Sequence, residues 1–131
     1  MVDEFNEETI RIYHSCYSPV FIMILDMSKE KKKEAENYIN IMRRLGPKYS
    51  QYFLFSYASF QDKFIKERKI SVKRVPGGVM TFRDGSIIMY PENWPLDDNT
   101  MDHFFEAIIR QKINKTESTT LQPDLTKVVY K

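Results

Sequence analysis

Apolar and polar residues alternate along this chain in three distinct rhythms, and each rhythm predicts a different kind of element. Val20-Phe21-Ile22-Met23-Ile24-Leu25 is apolar without interruption and short, the pattern of a central strand covered on both faces. Tyr52-Phe53-Leu54-Phe55 predicts a second buried strand. Between them Ala35, Tyr38, Ile39, Met42 and Leu45 recur at intervals of three and four, which places them on one face of a helix from Lys29 to about Leu45, closed by Gly46-Pro47. Met101, Phe104, Phe105, Ile108 and Ile109 repeat that spacing in a final helix, with Asn99 as its expected cap. A third rhythm runs from Val72 to Tyr90. There two short β-favouring runs, Val79 to Phe82 and Ser86 to Tyr90, flank Arg83-Asp84-Gly85, and Asp-Gly in that setting is a strong hairpin signal. Val75-Pro76 precedes the hairpin, where a missing N–H is tolerated at a strand entrance.

The remaining stretches complete the order of elements. Met1 to Phe5 is expected as an edge strand. Asn6, followed by Glu7 and Glu8, caps a short helix to about Cys16 whose Ile10, Tyr13 and Tyr17 share a face, and Ser18-Pro19 ends it. Ser59 is expected to cap a helix through Ile70, with Phe60, Phe64 and Ile65 on one side. Two strands joined by a helix of that length form a βαβ unit. The Thr/Ser/Gln-rich stretch after Ile113, with Pro123 and a late apolar patch at Val128, Val129 and Tyr130, reads as a tail or linker. Residues 1–113 are therefore taken as one domain and 114–131 as that tail.

Composition narrows the function classes. A chain of 131 residues with 42% apolar content supports one domain with a real core. Its 20 basic and 18 acidic side chains leave a formal charge of only +2, so no global attraction to nucleic acid or acidic lipid follows. Lys29, Lys31, Lys32 and Lys33 read as a solvated helix start. The aromatics near the Lys63, Lys66, Arg68, Lys69, Lys73, Arg74 cluster have helical spacing that packing explains, so no nucleic-acid partner is expected. Val20 to Leu25 is far too short to cross a bilayer, no membrane segment is expected, and the polar N-terminus is not a signal peptide. Neither a metal nor another cofactor is expected: His14, Cys16 and His103 cannot supply a zinc site's four ligands, and Gly77-Gly78 does not fit a phosphate loop. No Gly-x-Ser-x-Gly elbow exists, and an enzyme is not expected. Trp94, between Asn93 and Pro95, is read as a plug over the end of the sheet.

Taken together, Val20 to Leu25, Tyr52 to Phe55, Val75-Pro76 and Phe82-Arg83-Asp84-Gly85 resemble the thioredoxin fold over about residues 2 to 113. The resemblance implies an α/β architecture, a mixed central sheet flanked by helices in the order β-α-β-α-β-α-β-β-α, with Pro76 cis. In redox-active relatives a Cys-x-x-Cys pair follows the first central strand, where the helix N-terminus lowers a thiol's pKa. The matching place here reads Asp26-Met27-Ser28-Lys29-Glu30, and with Cys16 the chain's one cysteine, dithiol exchange on this chain alone is excluded. Cys16-Tyr17-Ser18-Pro19 precedes the strand, so Cys16 is read as a small apolar residue.

Thioredoxin-like domains without the cysteines resemble the non-catalytic b-type domains of protein disulfide isomerases, and Glu4-Phe5-Asn6-Glu7-Glu8-Thr9 is similar to the start of the b′ domain. That likeness implies binding of unfolded or partly folded polypeptide through an apolar pocket on the former active-site face. By position the pocket would be Met27 and Ser28 at the helix start, Tyr57 and Phe60 after the second central strand, Phe64 one turn on, and Val75-Pro76. Methionine and aromatics suit promiscuous contact. The likeness also implies neighbouring thioredoxin-like domains and the endoplasmic reticulum lumen, with the cytoplasm as the other location. Asn114-Lys115-Thr116 is a glycosylation sequon that favours the former. A structural module like those of calsequestrin is the other reading, but that family is strongly acidic and this chain is not.

Overall fold

A computed structural model describes residues 2–4, 18–61, 65 and 73–113 of the chain. Five strands form a single mixed sheet: β1 (Val2–Glu4), β2 (Val20–Leu25), β3 (Leu54–Ser59), β4 (Gly77–Thr81) and β5 (Ile87–Met89), in the spatial order β1-β3-β2-β4-β5. β1 and β2 run parallel to β3 on either side of it, whereas β4 runs antiparallel to β2 and β5 to β4. β2 is thus the middle of the sheet and every one of its residues is buried, as its unbroken apolar run requires.

A single turn at Lys29–Lys31 leads into α1 (Lys32–Tyr49), and the chain returns as α2 (Asp98–Ile108), which continues through a wider turn at Ile109–Ile113. Both helices lay their apolar stripes on one face of the sheet. Ala35, Ile39, Met42 and Leu45 of α1 and Met101, Phe104, Phe105 and Ile108 of α2 join Phe21, Met23, Leu25 and Phe55 in one core. Phe21 is its hub, edge-on to Phe55, Phe104 and Phe105 with ring centroids 6.2, 6.0 and 4.9 Å away. The opposite face of the sheet presents Val20, Ile22, Ile24, Ala58, Val79 and Met89, packed with the buried Ile65.

Three boundaries differ from the sequence expectation. α1 does not stop at Gly46-Pro47 but runs on to Tyr49. The extra turn is held by tertiary contacts: Tyr49 stacks on Phe53 at 5.4 Å, meets Phe105 at 5.3 Å, and its hydroxyl donates to the Asp102 carboxylate. A Cβ on Gly46 would meet Phe55 at 3.7 Å, ordinary van der Waals contact, so the packing there does not demand glycine. The second central strand starts at Leu54 rather than Tyr52, because the N–H groups of Tyr52 and Phe53 turn back to the Tyr49 carbonyl, and it extends to Ser59. Finally, Asp97 and not Asn99 caps α2: its Oδ1 accepts from the Thr100 N–H at 2.8 Å. Starting at Asp98 places that carboxylate for a two-pronged bond from Arg44 of α1, at 3.0 and 2.9 Å.

The Asp-Gly hairpin forms, with a three-residue connection. Gly85 N–H donates to Phe82 O, Phe82 N–H to Ser86 O, and Gly85 has φ of 90°, the conformation that makes glycine the suitable residue there. Asp84 Oδ1 accepts from both the N–H and hydroxyl of Ser86, at 2.9 and 2.6 Å. The expected helix to Cys16 and most of that after Ser59 lie outside the described residues.

Candidate functional site at the end of the sheet

Parallel pairing of β2 with β3, and antiparallel pairing of β2 with β4, bring the last residues of β2 and β3 and the first of β4 to the same end of the sheet: Leu25 stands opposite Ser59, and Ile24 opposite Gly77. The chain leaves β2 through a tight turn in which Asp26 Oδ1 accepts from the Ser28 N–H at 3.0 Å and Ser28 O from the Lys31 N–H at 3.1 Å. Just past β3, Phe60 N–H donates to Leu25 O at 3.0 Å. Just before β4, the Val75–Pro76 peptide bond is cis. Met27, Ser28, Phe60, Val75 and Pro76 therefore lie at the same end of the sheet.

Within that group their surroundings differ. Val75 and Pro76 line a small cleft with Leu25, Asp26, Lys31, Glu34, Ala35 and Tyr38, about 60 Å³ in volume. That admits a few waters or the tip of one side chain, well below the several hundred Å³ of small-molecule pockets. Met27 is half-buried against the core and Ser28 is exposed, and neither lines the cleft. Tyr57 lies inside β3, opposite Met23, rather than after the strand, because β3 extends to Ser59; it too is half-buried against the core. Phe60 is 37% exposed and Ile65 is buried, so the two do not share an inward face. Phe64, Cys16, His14 and Asn114 lie outside the described residues.

Asp26, Lys31, Glu34 and Tyr38 were not singled out from the sequence as site residues. Lys31, Glu34 and Tyr38 do follow helical spacing on one face, which is the signal that could have found them. The Asp26 carboxyl is held below its ordinary range by the Ser28 N–H and hydroxyl, helped by the charge of Lys31, against a smaller upward push from burial. Lys31 and Glu34 approach to 3.6 Å, both well exposed, a pairing worth little energetically. Among the described residues, none that lines the cleft carries a thiol or an imidazole. Among the described residues no cluster of His, Cys, Asp and Glu could hold a metal, and no helix is long and apolar enough to cross a membrane.

Arg74 is what ties this end to the neighbouring loop. Its guanidinium donates to the Trp94 carbonyl and lies 5.9 Å from the centre of the Tyr90 ring. The Tyr90 hydroxyl donates to Pro95 O at 2.7 Å, and burial, aided by Asp97, pushes its pKa far above the ordinary phenol value. Trp94 is half-buried, edge-on to Tyr90 at 6.1 Å, and packs on the core, so it does close a corner of the molecule. Its outer side, with Pro95, Asn99, Thr100 and His103, forms an open depression of about 370 Å³. Arg74 is thus committed inward, which removes it from the basic cluster weighed for nucleic acid.

No family model matches the chain, and no curated protein matches it in sequence. Solved structures do match. The J-Trx1 fragment of ERdj5 superposes with a TM-score of 0.62 at 6% identity, over 86% of this chain and 51% of that one. The bb fragment of ERp72 superposes with a TM-score of 0.58 at 16% identity, over 88% of this chain and 49% of the other. The chain spans about half the length of each. At such low identity the likeness establishes the fold, which is thioredoxin-like, with β2 as the central strand.

Proposed function

We propose that this chain is a redox-inactive thioredoxin-like module of a protein disulfide isomerase-like protein, and that it binds unfolded or partly folded polypeptide at the end of the sheet formed by Met27, Ser28, Tyr57, Phe60, Phe64, Val75 and Pro76. One observation carries the reading. Three large apolar side chains are conspicuously exposed among the described residues, and two of them, Phe60 at 37% and Val75 at 39%, stand at this end. Exposed apolar surface beside a shallow cleft is suited to weak contact with varied apolar segments. Burying the remainder of each side chain supplies on the order of 1 kcal/mol, so association is weak and undemanding of sequence.

The fold, the single cysteine and the likeness to domains of ERdj5 and ERp72 support this reading over catalysis. Neighbouring thioredoxin-like domains, residence in the endoplasmic reticulum lumen, a tail from 114 to 131 and glycosylation of Asn114 belong to the same proposal. Titration of the 15N-labelled chain with a reduced, unfolded polypeptide tests it. Amide shifts are expected at Met27, Phe60, Val75 and Gly77, and Val75→Asp or Phe60→Asp weakens binding about fivefold, equivalent to ~1 kcal/mol. Shifts confined to other surfaces, or none at millimolar polypeptide, reject the reading.

A further inference from the structure

The depression outside Trp94 is built from two elements: Trp94 and Pro95 come from the loop before α2, and Asn99, Thr100 and His103 from the first two turns of that helix. The loop is pinned through its backbone. Arg74 donates to Trp94 O, the Tyr90 hydroxyl to Pro95 O at 2.7 Å, and the Trp94 N–H to Pro91 O at 3.1 Å. On the helix side the Asp97 cap holds the Thr100 N–H at 2.8 Å. The polar tips, by contrast, are uncommitted: among the described residues, the side chains of Asn99, Thr100 and His103 share no hydrogen bond with another protein group. The imidazole of His103 meets the indole with ring centroids 5.7 Å and planes 45° apart, a wedge rather than a stack. At about 370 Å³ the depression falls within the roughly 300–1,000 Å³ of small-molecule sites, unlike the cleft beside Pro76.

Its chemistry narrows the occupant. No Lys, Arg, Asp or Glu lines the depression, so a charged ligand would find no counter-ion there. An indole beside an amide, a hydroxyl and an imidazole, groups that both donate and accept, suits a neutral ligand with one apolar face and a rim of hydroxyls. A pyranose ring has that form, with C–H bonds projecting from a face and hydroxyls from its edge. A proline-rich peptide fits less well, since it docks along an aromatic-lined groove and makes few side-chain hydrogen bonds. We propose that the depression binds a terminal pyranose of a neutral glycan, laid against Trp94 and hydrogen-bonded by Asn99, Thr100 and His103. Because loop and helix cap are already fixed, little ordering is required on binding. Because the site is open, the rest of the glycan extends into solvent. The proposal is independent of the polypeptide reading.

Trp94 is the one tryptophan of the chain, so its emission reports on the site directly. The full chain is titrated with cellobiose, lactose, maltose, mannobiose and chitobiose, each up to roughly 50 mM. At least one is expected to shift the emission saturably, with a dissociation constant in the millimolar range. Asn99→Ala and His103→Ala alter exposed residues and should each weaken that binding about fivefold, with the far-ultraviolet circular dichroism unchanged. The absence of a saturable response to all five sugars overturns the proposal, as does a response that both variants leave unaltered. A proline-rich peptide that shifts the emission where the sugars fail assigns the depression to polypeptide and also overturns it.

Discussion

The backbone of β4 passes so close to the core that one added methyl group tests the packing. A Cβ on Gly78 would stand 2.5 Å from Phe21 Cζ, 3.0 Å from Phe21 Cε1 and 3.4 Å from the Cβ of Tyr90. Restoring ordinary carbon contact requires about 1 Å of movement. The Phe21 ring has little freedom to supply it, being fully buried and edge-on to three phenylalanines. Overpacking of this kind costs about 1–3 kcal/mol, and the stiffer unfolded chain returns about 0.4–1 kcal/mol, so Gly78→Ala should destabilise by about 1–2 kcal/mol. Urea unfolding followed by circular dichroism measures this directly. Phe21→Leu alone should cost about 1–2 kcal/mol by leaving a void, but it also clears the space that the new methyl needs. The double variant should therefore be more stable than the sum of the two by at least ~1 kcal/mol. Additive effects, or a loss under ~0.5 kcal/mol for Gly78→Ala, would mean that the backbone yields and not the ring. In that case the start of β4, and with it Pro76 at the candidate site, is softer than the geometry implies.

Other predictions concern the seam between the two helices. Tyr49→Phe removes a buried hydroxyl that donates to Asp102, with Glu106 Oε1 3.3 Å away, and should lower stability by about 1–2 kcal/mol in the same urea assay. Asp97→Ala deletes the α2 cap and should cost about 1 kcal/mol, largely restored in Asp97→Ser. Carboxyl pKa values are depressed at Asp98 by Arg44, at Asp84 by Ser86, and at Asp102, where Lys48 and Tyr49 outweigh the upward push of burial. A folded value below the unfolded one of about 3.9 contributes stability that is complete above that pH and is lost as pH falls through the folded value. Melting temperature should hence be flat from neutrality to about pH 5 and fall below pH 4. Asp98→Asn should shallow that fall, and an unchanged acid limb in the variant would remove Asp98 from the account.

The sheet and both described helices were legible because their signals are redundant: an unbroken apolar run at Val20 to Leu25, helical spacing at Ala35 to Leu45 and at Met101 to Ile109, and Asp84-Gly85 between β-favouring runs. What failed was local punctuation overruled by distant contacts. Gly46-Pro47 signals a helix end, yet Tyr49 finds Phe53, Phe105 and Asp102 one turn later. Ser56 and Ser59 look like loop residues but lie in β3, where Ser56 is fully buried. At the candidate site the proline and the turn after β2 were visible, whereas the charged rim was not. Asp26, Lys31 and Glu34 carry the pattern of a solvated surface, and only the folded chain sets them beside Pro76. Exposure was equally hidden, since spacing alone does not separate the outward Phe60 from the buried Ile65.

The bond from Arg74 to the Trp94 carbonyl joins the approach to Pro76 with the single indole of the chain. A positive charge anchored one peptide unit from that ring perturbs its emission. An occupant that displaced Val75 and, with it, the adjoining Arg74 would shift that charge, and indole emission is the label-free signal in which to look for it.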